Sequence, residues 1–159
     1  MKQIDIYVGE LEIQIEFTKV CYRNYEKSYA ENDIPKTFMN IHHFLIHISN
    51  IDKILDLENN QFRKSIFEGK LNIVDLKQFR RLRNHLEHFD ERLDKWIKEY
   101  DGNTFFDMNF VQGTKGFPQK SFLRALDGKI MKFLGEDYDL ELLINLVAQL
   151  EEDLKKLEK

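Results

Sequence analysis

Residues 79–100, FRRLRNHLEHFDERLDKWIKEY, carry the clearest apolar spacing in the chain. Large apolar side chains recur there at alternating intervals of three and four residues, which is the spacing of a helix packed along its whole length against neighbours. These side chains are Phe79, Leu82, Leu86, Phe89, Leu93, Trp96 and Tyr100. The pattern predicts one long helix that starts with Asn72 as its N-cap and ends near Gly102.

Outward from this segment, four further helices are predicted. Residues 5–30 carry a strand-like alternation and a helical pattern at once, and the helical period persists for longer. A second helix starts at Asp33 and Pro35 and carries an apolar stripe from Phe38 to Leu55. A short helix covers about Phe62 to Phe67, and a leucine-rich helix closes the sequence. The residues that indicate where these helices start or stop are Asp33, Pro35, Gly69 and Asp139.

A small β element is predicted before the last helix. Glycine and proline cluster between Gly102 and Pro118, and Asp127-Gly128 between two apolar segments is a strong signal for a tight hairpin turn. The sequence therefore predicts a mainly α protein with a single domain over residues 1–159. Its architecture would be an antiparallel bundle of four to five helices, with a small β-hairpin insertion at about residues 103–136 before the C-terminal helix.

Composition narrows the classes of function. The net charge of −4 argues against a general nucleic-acid or membrane coat, because phosphate affinity comes mainly from clustered lysine and arginine; a local basic site is still compatible. The single cysteine, Cys21, excludes an internal disulfide and a cysteine-based zinc site, and it favours a reducing compartment. No run approaches the roughly 18 apolar residues of a membrane span. We expect a cytoplasmic protein that does not contact a membrane.

Five polar residues of the predicted long helix lie away from its apolar seam on a helical wheel, and we call them the polar arc. They are Arg83, Asn84, Glu87, His88 and Glu91. Each buried seam side chain contributes roughly 1.5–3 kcal/mol, whereas an exposed Arg83–Glu87 pair adds about 0.3–0.5 kcal/mol. The fold therefore does not require the polar arc to have this composition.

The chemistry of the polar arc fits metal-free cleavage of a phosphodiester. A guanidinium is always charged and can hold two phosphate oxygens, which suits Arg83 to clamp a phosphate. A histidine with an ordinary pKa near 6.5 can accept or donate a proton at working pH, which suits His88 as general acid or base. On a straight helix these two side chains point about 140° apart, so a second surface is needed.

The stretch RNHLEH, with Arg83, then Asn84, then His88, resembles the motif of the HEPN superfamily (higher eukaryotes and prokaryotes nucleotide-binding). In that motif an arginine precedes a polar residue and, after four to six intervening residues, a histidine. The longer run LRNHLEHFDERLDKW also resembles a group of bacterial HEPN-like proteins. Arg80 with His85 and Arg81 with His88 also fall within the spacing of the motif, but of these three arginines only Arg83 is followed by asparagine.

The HEPN resemblance implies an all-helical bundle that often dimerises, bringing two copies of the motif together in a cleft. Many members are metal-independent endoribonucleases of toxin–antitoxin, abortive-infection or CRISPR-linked defence systems, and others bind nucleotides. Carried over to this chain, the resemblance implies that Arg83 and His88 are the catalytic pair and that Asn84 supports them. It implies a homodimer, RNA or a nucleotide as ligand, and a cognate antitoxin as partner. The alternative is a non-catalytic helical protein-interaction module that uses the same face or its acidic surface.

Three histidines, His42, His43 and His47, gather on the second predicted helix. His43 and His47 are one turn apart and could share a metal, but no third ligand is evident, so we predict no metal and no cofactor. A polar bundle face or a subunit contact is the simpler interpretation. A sharper hypothesis is that His43, His47 and Glu87 line one cleft and contact the substrate there. Lys115, among phenylalanines in the loop, could bind single-stranded RNA or belong to an anchored surface loop.

Overall fold

The computed structural model describes residues 2–71, 74–76, 79–99, 106–113 and 122–157. These residues form six helices and four strands, so the protein is mainly α with a small sheet before the last helix. In chain order the elements are α1 (Gln3–Ala30), α2 (Ile34–Leu55), α3 (Gln61–Phe67), α4 (Arg80–Glu87), α5 (Phe89–Glu99), β1 (Phe106–Phe110), β2 (Phe122–Asp127), β3 (Ile130–Phe133), β4 (Glu136–Asp139) and α6 (Leu140–Leu157).

Local capping fixes three of the helix starts, and the predictions at Asp33 and Asp139 are confirmed. The Asp33 carboxylate accepts a hydrogen bond from the Lys36 amide at 3.1 Å, and Asp139 accepts from the amides of Glu141 and Leu142 at 2.9 Å. The α3 helix starts in the same way, at Asn60. In each case a side-chain oxygen satisfies an amide that the first helical turn leaves without a partner. The predicted helix over residues 5–30 is also confirmed, as α1.

The single helix predicted from Asn72 to Gly102 is wrong, because two shorter helices occupy that segment. Residues 74–76 are not helical, α4 begins only at Arg80, and His88 leaves helical geometry with φ −112° and ψ 43°. The alternating spacing continues across this break, because spacing reports which side chains are buried and not whether the backbone between them is helical. Asn72 itself lies outside the described residues.

The apolar seam is nevertheless real along most of its length. Leu82 is fully buried against the core, and the Phe89 ring packs edge-on against Phe133 of β3, with centroids 6.4 Å apart. Of the other seam residues, Phe79 and Trp96 are buried and Leu86 and Leu93 are half-buried; Tyr100 falls outside the described part of the chain. Because α4 packs on α2 while Phe89 of α5 packs on the sheet, the break at His88 lets each helix follow its own partner.

The predicted β-hairpin is a four-stranded mixed sheet, which corrects the expected topology. The strand order is β1-β2-β3-β4; β1 is parallel to β2, and the other two pairs are antiparallel. The predicted turn at Asp127-Gly128 does join β2 to β3, with Gly128 at φ 58°. The additional strands were hidden by their composition and pairing. β4 has the sequence EDYD, whose acidic residues are uncommon in strands. β1 pairs in parallel with β2, and such a pair cannot be joined by the tight turn that marks a hairpin in the sequence.

One hydrophobic core joins the long helices to the sheet. It draws on α1, α2, α4 and α6, and on the inner side chains of β2 and β3. α6 packs along α1, where the Lys19 ammonium donates to both oxygens of Glu151 at 3.0 and 3.1 Å. Within the described residues, none of the helices combines the length and the apolar character that crossing a membrane demands.

Candidate functional site

The side of α4 that faces α2 carries two arginines, and the first of them has a structural role. Arg80 donates to both carboxylate oxygens of Asp52 at 2.8 and 3.1 Å. Asp52 is only 8% exposed, so this bidentate pair ties α4 to α2 in a partly dehydrated setting. Arg80 therefore uses its hydrogen-bond donors to hold α4 against α2.

Arg83, one turn further along, is placed differently. Its Nη1 lies 3.6 Å from Asp52 and its Nε 3.7 Å from Glu87, distances that give charge attraction without a hydrogen bond. Its one described hydrogen bond goes to the neighbouring Asn84 Oδ1, at 3.1 Å. The Nε atom is buried and has no hydrogen-bond partner among the described residues. Arg83 is thus held in position with unused donor capacity.

A groove of about 240 Å³ runs between α2 and α4, and we call it the α2–α4 groove. Its described polar lining consists of His42, Ser49, Asn50, Lys53, Arg83 and Glu87. Lys53 Nζ lies 3.1 Å from Glu87 Oε1, so the Glu87 carboxylate stands between two cations. The hydroxyl of Ser49 is buried and, within the described part of the chain, has no hydrogen-bond partner.

The remaining polar-arc residues lie outside this groove. His88 has a side chain that is 56% exposed, at the break between α4 and α5, and its nearest described carboxylate is Glu91 at 3.7 Å. Asn84 is exposed, and its Oδ1 accepts the hydrogen bond from Arg83. The structure of one chain therefore places Arg83 and Asn84 together and leaves His88 facing solvent.

The histidines of α2 divide between two faces. His42 lines the α2–α4 groove with Arg83, whereas His47 faces α1, with Nδ1 2.9 Å from Gln14 Oε1 and its ring 5.1 Å from Phe17. Partial burial lowers the pKa of His42, and the neighbouring His43 and Arg124 lower it further. The pKa of His47 is lowered by burial and then by His43. The groove histidine is thus His42, one residue before the pair that the sequence favoured.

Two other sequence hypotheses concern His43 and Lys115. His43 is exposed and is not part of the described lining of the α2–α4 groove. No group of three His, Cys, Asp or Glu side chains in the described ranges is arranged to hold a metal ion. Lys115 lies outside the described residues, so its proposed contact with RNA stays a prediction.

His85 belongs to a buried cluster that the sequence did not reveal. Its ring stacks on Phe133 with centroids 5.1 Å apart, its Nδ1 accepts from Arg92 Nε at 3.0 Å, and its Nε2 lies 3.7 Å from Glu136. Tyr138 donates to the same Glu136 carboxylate at 2.6 Å. Burial lowers the pKa of His85 and outweighs the raising effect of Glu136. Arg80 pairs with Asp52, and His85 packs against Phe133 and Arg92. The alternative motif match of Arg80 with His85 therefore consists of two residues that stabilise the fold.

Comparison of the chain with protein-family models, with curated proteins and with solved structures gives no match in any of the three. Function must therefore be argued from the groove and from the chemistry of its side chains. Among the described residues, this groove combines an arginine with an unpaired Nε donor, a lysine that contacts the same carboxylate, a buried hydroxyl and a histidine.

Proposed function

We propose that the protein binds and cleaves RNA, or a related nucleotide, without a metal ion, with Arg83 as the phosphate clamp. The observation that carries the proposal is the partly buried position of Arg83, whose Nε donor has no hydrogen-bond partner among the described residues. A guanidinium in that state offers a phosphate two oxygen contacts at little cost in reorganisation. The HEPN resemblance of RNHLEH supports the same assignment, including a role in a bacterial defence or toxin–antitoxin type system.

The proposed reaction is attack of a ribose 2′-hydroxyl oxygen on the adjacent phosphorus. The new P–O2′ bond forms as the P–O5′ bond breaks, which leaves a 2′,3′-cyclic phosphate and a free 5′-hydroxyl. The 2′-hydroxyl proton passes to a general base, and the departing 5′-oxygen takes a proton from a general acid; His88 performs one of these transfers. Arg83 stabilises the charge that develops on the phosphate oxygens, and Asn84 fixes the guanidinium through its hydrogen bond.

A second copy of the chain would supply the opposite wall that His88 lacks. The antiparallel bundle and dimer that the resemblance implies are compatible with the packing of α2 against both α1 and α4. A homodimer would also cover an exposed apolar stripe on α1. Its members are Ile6, Ile13, Phe17 and Val20, which fall on one helical face.

The charges of α1 favour a second copy as the molecule that covers this stripe. Residues 3–17 contain four carboxylates and no lysine or arginine, whereas residues 18–30 contain three basic side chains and one acidic. Antiparallel pairing of two α1 helices about a two-fold axis would oppose the acidic half of each to the basic half of the other. The same stripe also supports the second candidate function, a non-catalytic module that binds a partner protein such as an antitoxin.

The test is an RNA cleavage assay in EDTA with a broad panel of single-stranded and structured RNAs. We expect Arg83→Ala to lower the rate at least about 100-fold, because it removes the charge at the transition state. Its melting temperature should change by less than about 3 °C, since Asp52 keeps its bidentate contact with Arg80. The matched control is Arg23→Ala, which removes an exposed arginine on α1 that pairs with Glu16.

His88→Ala and His42→Ala belong in the same assay, because they separate the two candidate proton-transfer residues. Loss of cleavage in His88→Ala agrees with the proposal. Loss in His42→Ala alone would move proton transfer to the groove histidine and leave Arg83 as the clamp. If the wild-type protein leaves the whole RNA panel intact, the nuclease function is wrong and the interaction module becomes the better proposal.

A further inference from the structure

We infer that the α2–α4 groove is a binding site for the phosphate group of a nucleotide, in which Lys53, Arg83 and Ser49 hold the phosphate and the Glu87 carboxylate occupies its place beforehand. The inference rests on the proposed function and specifies where the terminal phosphate of its nucleotide ligand binds. It adds two residues of α2 that the polar arc does not contain. It also assigns a role to Glu87 as an internal occupant of the site.

The geometry of Glu87 is that of an anion held by two cations. One carboxylate oxygen, Oε1, lies 3.1 Å from Lys53 Nζ, and the other, Oε2, lies 3.7 Å from Arg83 Nε. The two nitrogens come from different helices, so the carboxylate bridges α2 and α4. The Glu87 side chain is 45% exposed, so it can rotate out of the groove without disturbing the core. A phosphate could take its place and reach both cations.

Ser49 provides the second, independent observation. Its residue is 7% exposed, it lines the groove, and its hydroxyl has no hydrogen-bond partner among the described residues. Buried hydroxyls elsewhere in these helices donate to the carbonyl four residues earlier, which is the usual arrangement inside a helix. Thr18, Ser28 and Thr37 do so at 2.7, 2.8 and 2.7 Å. Ser49 therefore retains a donor that the described fold leaves unpaired, on a residue that lines the groove.

The chemistry of the lining favours a phosphate over a carboxylate ligand. A phosphate monoester carries a charge of about −1.5 to −2 at pH 7 and has three acceptor oxygens, whereas the Glu87 carboxylate carries one charge and has two oxygens. Lysine and arginine are the usual protein cations at phosphate groups, and arginine adds the fixed geometry of its fork. A terminal phosphate of a nucleotide thus has the charge and the acceptors to displace Glu87.

The experiment is a calorimetric titration with inorganic phosphate and, separately, with adenosine 5′-monophosphate, at constant ionic strength. We expect Glu87→Gln to bind phosphate about fivefold more tightly than wild type, because it removes an anion that must leave the two cations, each about 4 Å away or less, before phosphate can bind. Lys53→Met should bind phosphate at least about fivefold more weakly than wild type, because it removes a cation that attracts the ligand. Both side chains are about half exposed, so neither substitution threatens folding.

The matched control is Glu91→Gln, which removes the same charge one turn further along, at a carboxylate that contacts His88 and does not belong to the described groove lining. Its affinity for phosphate should equal that of wild type. An equal gain in Glu87→Gln and Glu91→Gln would show an effect of net charge alone and overturn the inference. It would also be overturned if neither wild type nor Glu87→Gln binds either ligand.

The titration separates this inference from the proposed reaction. Phosphate binding that tightens in Glu87→Gln, in a protein that cleaves no RNA, would keep the site and reject the nuclease. RNA cleavage that depends on Arg83, with no change in phosphate affinity in Glu87→Gln, would keep the nuclease and reject Glu87 as occupant of the site.

Discussion

His85 and His88 are three residues apart, yet their surroundings give them opposite properties. His85 is only 9% exposed and lies between the Phe133 ring and Arg92, whereas the His88 side chain is 56% exposed beside Glu91. Burial favours the neutral form of His85 and lowers its pKa, because charging the ring would place a cation in a dehydrated space; Glu136 opposes this effect and Arg92 adds to it. His85 is therefore a pH-dependent element of stability, and His88 is the residue that can reach a ligand.

The first prediction concerns the pH dependence of stability. The unfolded chain protonates His85 near pH 6.5, and the folded chain does so at lower pH, because burial lowers the folded-state pKa. Between those two values the unfolded state binds more protons, so the free energy of unfolding falls as pH drops below about 6.5. Urea denaturation at pH 7.5 and pH 5 should show a smaller fall in His85→Gln than in wild type.

The control for this comparison is Leu82→Ala, which destabilises the same helix by removing a fully buried side chain while keeping every histidine. It should lower the free energy of unfolding by about 2–5 kcal/mol and retain the wild-type pH dependence. An identical pH dependence in wild type and His85→Gln would mean that His85 does not carry this effect.

Only part of the candidate site could be predicted from the sequence. The residues that could be predicted lie on one helix, and those that could not depend on contacts between residues far apart in the chain. Arg83 and Asn84 could be predicted because they lie outside the apolar seam of their helix, where the fold does not require them, and because arginine is a residue type that binds phosphate. Lys53 and Ser49 were not, because their relation to Arg83 depends on how α2 packs against α4, 30 residues or more along the chain. The packing also selects His42 over its neighbours, which spacing on one helix cannot do.

At the level of elements, signals confined to a few residues predicted the structure well. Asp33 and Asp139 cap helices, and Asp127-Gly128 forms the turn between β2 and β3, because a single side chain or a single glycine decides each feature. The parallel strand β1 and the acidic strand β4 could not be predicted in this way. β4 is held by cross-strand contacts such as Lys132 with Asp137 at 2.8 Å, which exist only after β3 is in place.

Two glycines provide a prediction at this scale, because a Cβ at either position meets no heavy atom within 4 Å. They differ only in backbone conformation. Gly128 has φ 58°, in the left-handed region, and Gly9 lies inside α1. Gly128→Ala should destabilise the protein by about 1 kcal/mol, whereas Gly9→Ala should stabilise it by about 0.5–1 kcal/mol. Thermal and chemical denaturation of both variants would check the opposite signs; equal signs would contradict the explanation.

At the scale of the whole molecule, the exposed stripe on α1 gives a prediction about assembly. If a second copy covers it, as proposed, sedimentation equilibrium should show a dimer for wild type and a monomer for Phe17→Glu. The reason is that a charge at Phe17 would be buried without a partner in the interface. The circular dichroism spectrum should be unchanged, because Phe17 is about half exposed in the single chain and is not part of the buried core.

The matched control is Phe62→Glu, since Phe62 on α3 is equally prominent at 57% exposure but lies apart from the α1 stripe. It should sediment as wild type does. A monomer for wild type across micromolar to millimolar concentrations would reject the dimer and leave the α1 stripe to a different protein.

The packing of α6 along α1 also sets the order in which the protein can fold during synthesis. Lys19 reaches Glu151, 132 residues later, and the Tyr25 hydroxyl donates to the Gly128 carbonyl at 3.1 Å, 103 residues later. Closing such long loops is slow, because chain entropy must be lost before the contacts form. While the ribosome still holds α6, the apolar surface that α1 will share with it stays uncovered. The nascent chain thus keeps this apolar surface exposed to solvent until α6 has emerged from the ribosome.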